Sequence, residues 1–77
     1  MTPLHLVAED TRVKIVKIDA GIGLVRQLKS KGIHVGDVVT VMHNSQGPLI
    51  MAKNHLRFAL GRGMSHRIFV EEVQEEK

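Results

Sequence analysis

The chain has no cysteine, tryptophan or tyrosine, and only two phenylalanines and two prolines in 77 residues. Without cysteine there is no disulfide, zinc ribbon or thiol nucleophile, a composition that suits a reducing compartment. Phe58 and Phe69 are the only aromatic rings besides histidine, so the stacking platform that usually holds single-stranded nucleic acid is missing. Nucleic acid is therefore not an expected partner. No window approaches the roughly 18–20 apolar residues of a membrane span, so membrane insertion is not expected. The opening Met-Thr-Pro-Leu-His-Leu-Val lacks the basic and apolar regions of an export signal. Acidic residues are scarce in the body: residues 11–67 hold ten Lys or Arg against two Asp, an excess of eight positive charges. Glu71, Glu72, Glu75 and Glu76 gather near the end. A basic body of this kind suggests an acidic partner, whether nucleic acid, against which the missing stacking platform counts, an anionic membrane surface or an acidic protein face. One domain over residues 1–77 is expected, with 71–77 as a frayed acidic tail. At this length folding buries only about 60–65% of the unfolded surface, which leaves little room for an enclosed active site.

Gly21 to Ile33 is the one stretch with clear helical spacing. Leu24, Val25 and Leu28 share a face, with Arg26, Gln27, Ser30 and Lys31 elsewhere, which predicts an amphipathic helix over about 22–31. Gly32 suits the left-handed position after the cap, so that Ile33 folds back on Leu28. A helix this short is marginal alone and must dock. Leu24 and Leu28 are expected to turn inward.

The remaining apolar residues read as short strands. Leu4 and Leu6, two apart, follow Pro3 in an edge segment that ends in a turn at Glu9-Asp10. Residues 11–19 alternate with a phase change at Ile15-Val16, as a bulge requires. Two glycines at 21 and 23 are expected to admit unusual backbone angles. Residues 38–43, 49–53 and 56–60 follow as strands, with Leu56, Phe58 and Leu60 on one face. His34–Asp37, Asn44–Pro48 and Lys53–His55 separate the elements as turns. A single helical turn near 62–66 and a last strand at Ile68 and Val70 complete a mainly β fold. Five to six short strands and one inserted helix are most economically a small closed or nearly closed barrel.

Little in this pattern suggests chemistry. Gly21-Ile22-Gly23 lacks the third glycine of a dinucleotide loop and any Gly-Lys-Ser/Thr ending. Ser65 and His66 are adjacent, which on a strand sends their side chains to opposite faces, so no nucleophile and base are paired. No catalytic residues are expected and the chain is read as a non-enzyme. The five histidines show no local ligand spacing. Binding of Fe(II) or another divalent transition metal would need a cross-strand assembly, for instance of His43 with His55; the histidines are read instead as surface or half-buried residues, and no cofactor is required.

The ordered series Gly21-Ile-Gly-Leu-Val-Arg-Gln-Leu, Gly32-Ile33, Gly36-Asp37, Gly47-Pro48-Leu49-Ile50, Leu60-Gly61 and Ile68-Phe69-Val70 resembles the FeoA family of ferrous iron transport proteins. The resemblance runs from about Leu4 to Val73. It departs from the family pattern at His34-Val35-Gly36, where a proline commonly precedes the glycine, and at Asn54-His55, where a glycine often turns the chain. It implies an SH3-like barrel in the bacterial cytoplasm, peripheral to the inner membrane only through its partner. That partner is the cytoplasmic part of the membrane GTPase-transporter FeoB, with the chain itself a monomer or weak oligomer. The set expected to carry the contact is Leu24, Arg26, Gln27 and Lys31 of the helix, extended by Gly47, Pro48 and Arg57. Arg26 lies within the matching motif, two residues after the Gly23-Leu24 pair. The alternative implied by the same fold is a transition-metal-binding regulatory domain like that at the C-terminus of iron-dependent repressors.

Overall fold

The computed structural model describes residues 1–74. Six strands form one antiparallel sheet: β1 (Thr2–Pro3), β2 (Arg12–Ile18), β3 (Val38–His43), β4 (Leu49–Lys53), β5 (Leu56–Leu60) and β6 (Ile68–Glu72). Helix α1 (Ile22–Ser30) enters between β2 and β3, and the single turn α2 (Arg62–Ser65) between β5 and β6. The sheet order is β1-β6-β2-β3-β4-β5, so the last strand lies between the first two while the middle of the chain is a meander. This is the SH3-like architecture that the family resemblance implied.

Strand alternation builds the core. Val13 and Ile15, Val39 and Val41, Leu49 and Met51, and Ile68 and Val70 are all buried two apart on their strands. The phase change read at Ile15-Val16 is a register shift between Ile15 and Lys17 against β6. A second shift, between Val41 and His43 against β4, has no comparable sign in the sequence. On β5 the predicted apolar face holds for Phe58 and Leu60, whereas Leu56 lies 59% exposed.

The helix ends where its glycine predicts. Gly32 has φ +85°, its N–H donates to the Lys29 carbonyl and the Ile33 N–H to that of Leu28. These are the paired bonds of a Schellman closure, with Lys31 as the cap. Leu28 and Ile33 are fully buried. Because no atom crowds a Cβ at position 32, Gly32→Ala carries only the left-handed backbone penalty. It is expected to cost about 1–2 kcal/mol, measured as a lowered urea midpoint with an unchanged slope. By contrast Gly21 has φ −67° and caps α1 in an extended conformation, so the turn into the helix does not draw on glycine's special range.

Two expectations are corrected. Leu4–Leu6 is a 3-10 turn, not strand, and it buries Leu4 while leaving Leu6 exposed. The acidic end does not fray from residue 71. Glu71 lies opposite Lys14 and Glu72 opposite Val13, and the Val73 N–H donates to the Arg12 carbonyl. Opposite charge across the ladder and continued backbone pairing hold the segment in β6; residues 75–77 lie outside the described residues. The helical turn expected near 62–66 forms as α2: Ser65 is buried in it, its hydroxyl donating to the Arg62 carbonyl, and His66 caps that turn.

Candidate functional site

Helix α1 carries the most distinctive open surface. Arg26, Gln27, Lys29 and Lys31 are exposed, and among the described residues no side-chain bond occupies Arg26, Lys29 or Lys31. Leu28 alone is fully buried; Leu24 and Val25 are half-buried, and Leu24 is not among the residues packed on the core. Leu24 therefore lies at the margin between helix and solvent rather than inside the barrel. Along the other margin Ile18, Val25, Lys29, Ile33, His34 and Val35 line a groove that is mostly apolar. Ile22, 75% exposed, shares a helical face with Val25 and Lys29 and prolongs its apolar surface. Val35, 58% exposed, does so from the following loop. The geometry is an apolar strip flanked by unpaired cations, suited to gripping a surface with an apolar ridge and acidic edges.

An internal ion pair fixes the groove's far end. Lys53 Nζ donates to the Gly32 carbonyl at 2.6 Å and to Asp37 Oδ2 at 3.0 Å. The same carboxylate oxygen accepts the His34 N–H at 2.7 Å. Burial pushes the Asp37 carboxyl up, but the His34 amide and the Lys53 ammonium outweigh that and hold its pKa below the ordinary range. The loop 33–37 is thereby fastened to both the helix end and β4.

The other predicted residues fall elsewhere. Gly47 and Pro48 precede β4 at Leu49, whereas Lys53, at the strand's other end, holds the end of α1. Four residue steps of strand, about 13 Å, separate the two ends. Gly47 and Pro48 therefore do not extend the helix surface. Arg57 is exposed on β5 opposite Ala52, one step from the Lys53 end. The histidine pair is split in the same way: His43 lies opposite Ile50, and His55 sits in the turn beyond Lys53. The hairpin register puts them at opposite ends of β4, so the cross-strand arrangement does not form. Among the described residues no three His, Asp or Glu side chains are grouped to hold a metal.

One cluster escaped sequence reasoning. The rings of His5 and His66 stack with centroids 3.7 Å apart and planes within 11°. Beside them Arg62 donates Nε to the Gly47 carbonyl at 3.0 Å, Nη1 to Asn44 Oδ1 and Nη2 to the Ser45 carbonyl. Asn44 in turn donates Nδ2 to the His5 and Val7 carbonyls at 2.9 and 2.6 Å. These hydrogen-bonded partners are 15 to 39 residues apart in sequence, and no local spacing announces them.

Comparison with known proteins is consistent over nearly the whole length. The FeoA domain family model matches residues 2–72. A Methanocaldococcus jannaschii protein provisionally named Fe(2+) transport protein A is 38% identical over 74 residues, covering 96% of this chain and 90% of that one. The crystal structure of an iron uptake regulatory protein, FeoA, superposes with a TM-score of 0.83 at 29% identity, over 94% of this chain and 96% of that one. The solution structure of FeoA from Chlorobium tepidum gives 0.86 at 17% identity, over 99% and 74%. The manganese regulator SloR shares the fold (0.84, 15% identity) over 94% of this chain but only 34% of its own. Strand order, the inserted helix with its Gly32-Ile33 closure and the family match agree, and the chain belongs to the FeoA family.

Proposed function

We propose that this protein is an accessory component of ferrous iron uptake that docks through α1 and its groove on the cytoplasmic part of the membrane GTPase-transporter FeoB, and modulates it by contact alone. The observation that carries this reading is the apolar groove from Ile18 to Val35 beside the unpaired Arg26, Lys29 and Lys31. Membership of a ferrous iron transport family supplies the context. Among the described residues no helix is long and apolar enough to cross a membrane.

Arginine suits such a contact because its planar fork binds a carboxylate through two parallel hydrogen bonds. Arg26→Glu reverses the charge on an exposed residue that supports nothing inside the fold. It is expected to weaken binding to the soluble GTPase region of the transporter at least tenfold, about 1.4 kcal/mol, with the thermal midpoint unchanged. Calorimetric titration of both proteins measures this. Equal affinity for the variant and the parent rejects α1 as the docking face.

A further inference from the structure

We propose that the contact between the Leu4–Leu6 turn and α2 is a proton-operated latch, in which the uncharged His5 and His66 rings stack to close the seam between the two ends of the sheet and proton uptake opens it.

The place in the fold comes first. β1 and β5 are the two outer strands of the sheet, and no ladder joins them. The turn that follows β1 and the helical turn that follows β5 meet instead, through the parallel imidazoles. β1 itself contributes only two residues, Thr2 and Pro3, paired with Val70 and Phe69. The N-terminal strap therefore depends on what holds the Leu4–Leu6 turn.

The chemistry of the contact makes it sensitive to protons. His5 Nδ1 is sealed from solvent and has no hydrogen-bond partner. Neutral imidazoles stack as ordinary aromatic rings, but two imidazolium ions at this separation repel. A third cation cannot withdraw, because Arg62 is tied to Gly47, Asn44 and Ser45. The other charged groups do not compensate. The charged groups that act on His5 are His66 and Arg62, both against its protonation, with no carboxylate among them; Glu9 accepts the Asn44 N–H, and Arg67 reaches toward the Asp19 carbonyl. On β6, Glu71 and Glu72 lie beyond Val70, whereas the chain runs from Thr2 and Pro3 the opposite way, toward Ile68. The parallel rings also argue against a shared metal ion, since in-plane lone pairs on stacked rings do not converge on one point.

Burial, then His66, then Arg62 lower the His5 pKa from 6.5. The open form thus takes up a proton near its ordinary pKa while the closed form resists. Closure is complete above that pH and weakens as pH falls through it toward the depressed value. Each unit of depression is a factor of ten in the closed-to-open ratio.

Hydrogen exchange corrected for the intrinsic pH effect tests this on the whole chain, read at the Val7 and His66 amides, which donate to Leu4 and Arg62. Their protection is expected to fall about tenfold between roughly pH 7.5 and 5.5, while amides of β2 and β3 keep theirs. In His5→Phe a ring remains in the stack but takes no proton, and the fall should vanish; in His66→Phe the burial of His5 remains, and the fall should only shrink. The ring resonances of His5 should titrate below the ordinary histidine value of 6.5. Protection that does not change with pH, the same fall in His5→Phe as in the parent, or a His5 titration at or above 6.5 overturns the latch. If neither variant folds, the ring titration of the parent protein decides alone.

Discussion

Leu28→Ala is expected to remove about 3 kcal/mol of stability and lower the thermal midpoint by roughly 12–24 °C. The residue is fully buried and is the only residue of α1 that is. It also supplies the carbonyl that accepts the Ile33 N–H and is joined in the core by the buried Ile33. Alanine keeps that backbone bond, so the loss isolates the docking of the helix from the chemistry of its end. The remaining cavity has few ways to collapse, because the surrounding strands are fixed by their ladders. Native domains have only about 5–15 kcal/mol to lose, so a drop of this size shows as partial unfolding at growth temperatures. Leu24→Ala, at the half-buried margin, is the internal comparison and should cost about 1 kcal/mol or less. Similar midpoints for the two variants would mean that the helix is not anchored where the structure puts it.

The second large effect is expected at Asn44. Its side chain donates to two carbonyls, of His5 and Val7, and accepts from Arg62. Asn44→Ala leaves all three partners without their bond in a partly buried setting, and a loss of about 2–3 kcal/mol follows. Asn44→Asp separates the two halves of the role, since a carboxylate still accepts from Arg62 but donates nothing to His5 and Val7. Urea melts should place it between the parent protein and the alanine variant. If Asn44→Ala melts with the parent, the β3–β4 loop does not fasten the N-terminal turn.

The contrast between Leu28 and Asn44 shows which features a linear reading reaches. Leu28, Gly32 and Ile33 act within one turn of each other, so helical spacing and the left-handed demand on glycine make their roles legible. The bulge at Ile15 is legible because it breaks an alternation. The Leu4–Leu6 turn was hidden because two leucines at spacing two satisfy a strand pattern, and only tertiary contact with β6 decides otherwise. Asn44 and Arg62 read as ordinary loop and surface residues. Their partners come from distant parts of the chain, and the register shift after Val41 that sets the position of the loop has no signature in residue type. The candidate surface divides on the same principle. The exposure of Arg26, Gln27 and Lys31 follows from their place on the helix, whereas grouping them with Gly47 and Pro48, or His43 with His55, required a register that only folding establishes.

The placement of β6 has a bearing on how the chain is made. β2 to β5 are joined in sequence by α1 and two short hairpin turns and can assemble as a growing polypeptide leaves the ribosome, but β6 must slot between β1 and β2, with Thr2 meeting Val70. Until the last strand emerges, one side of β2 stays bare, a sticky template for another nascent copy. The pairing of Thr2 with Val70 joins residues far apart in sequence, and such long-range closure slows the completion of the sheet.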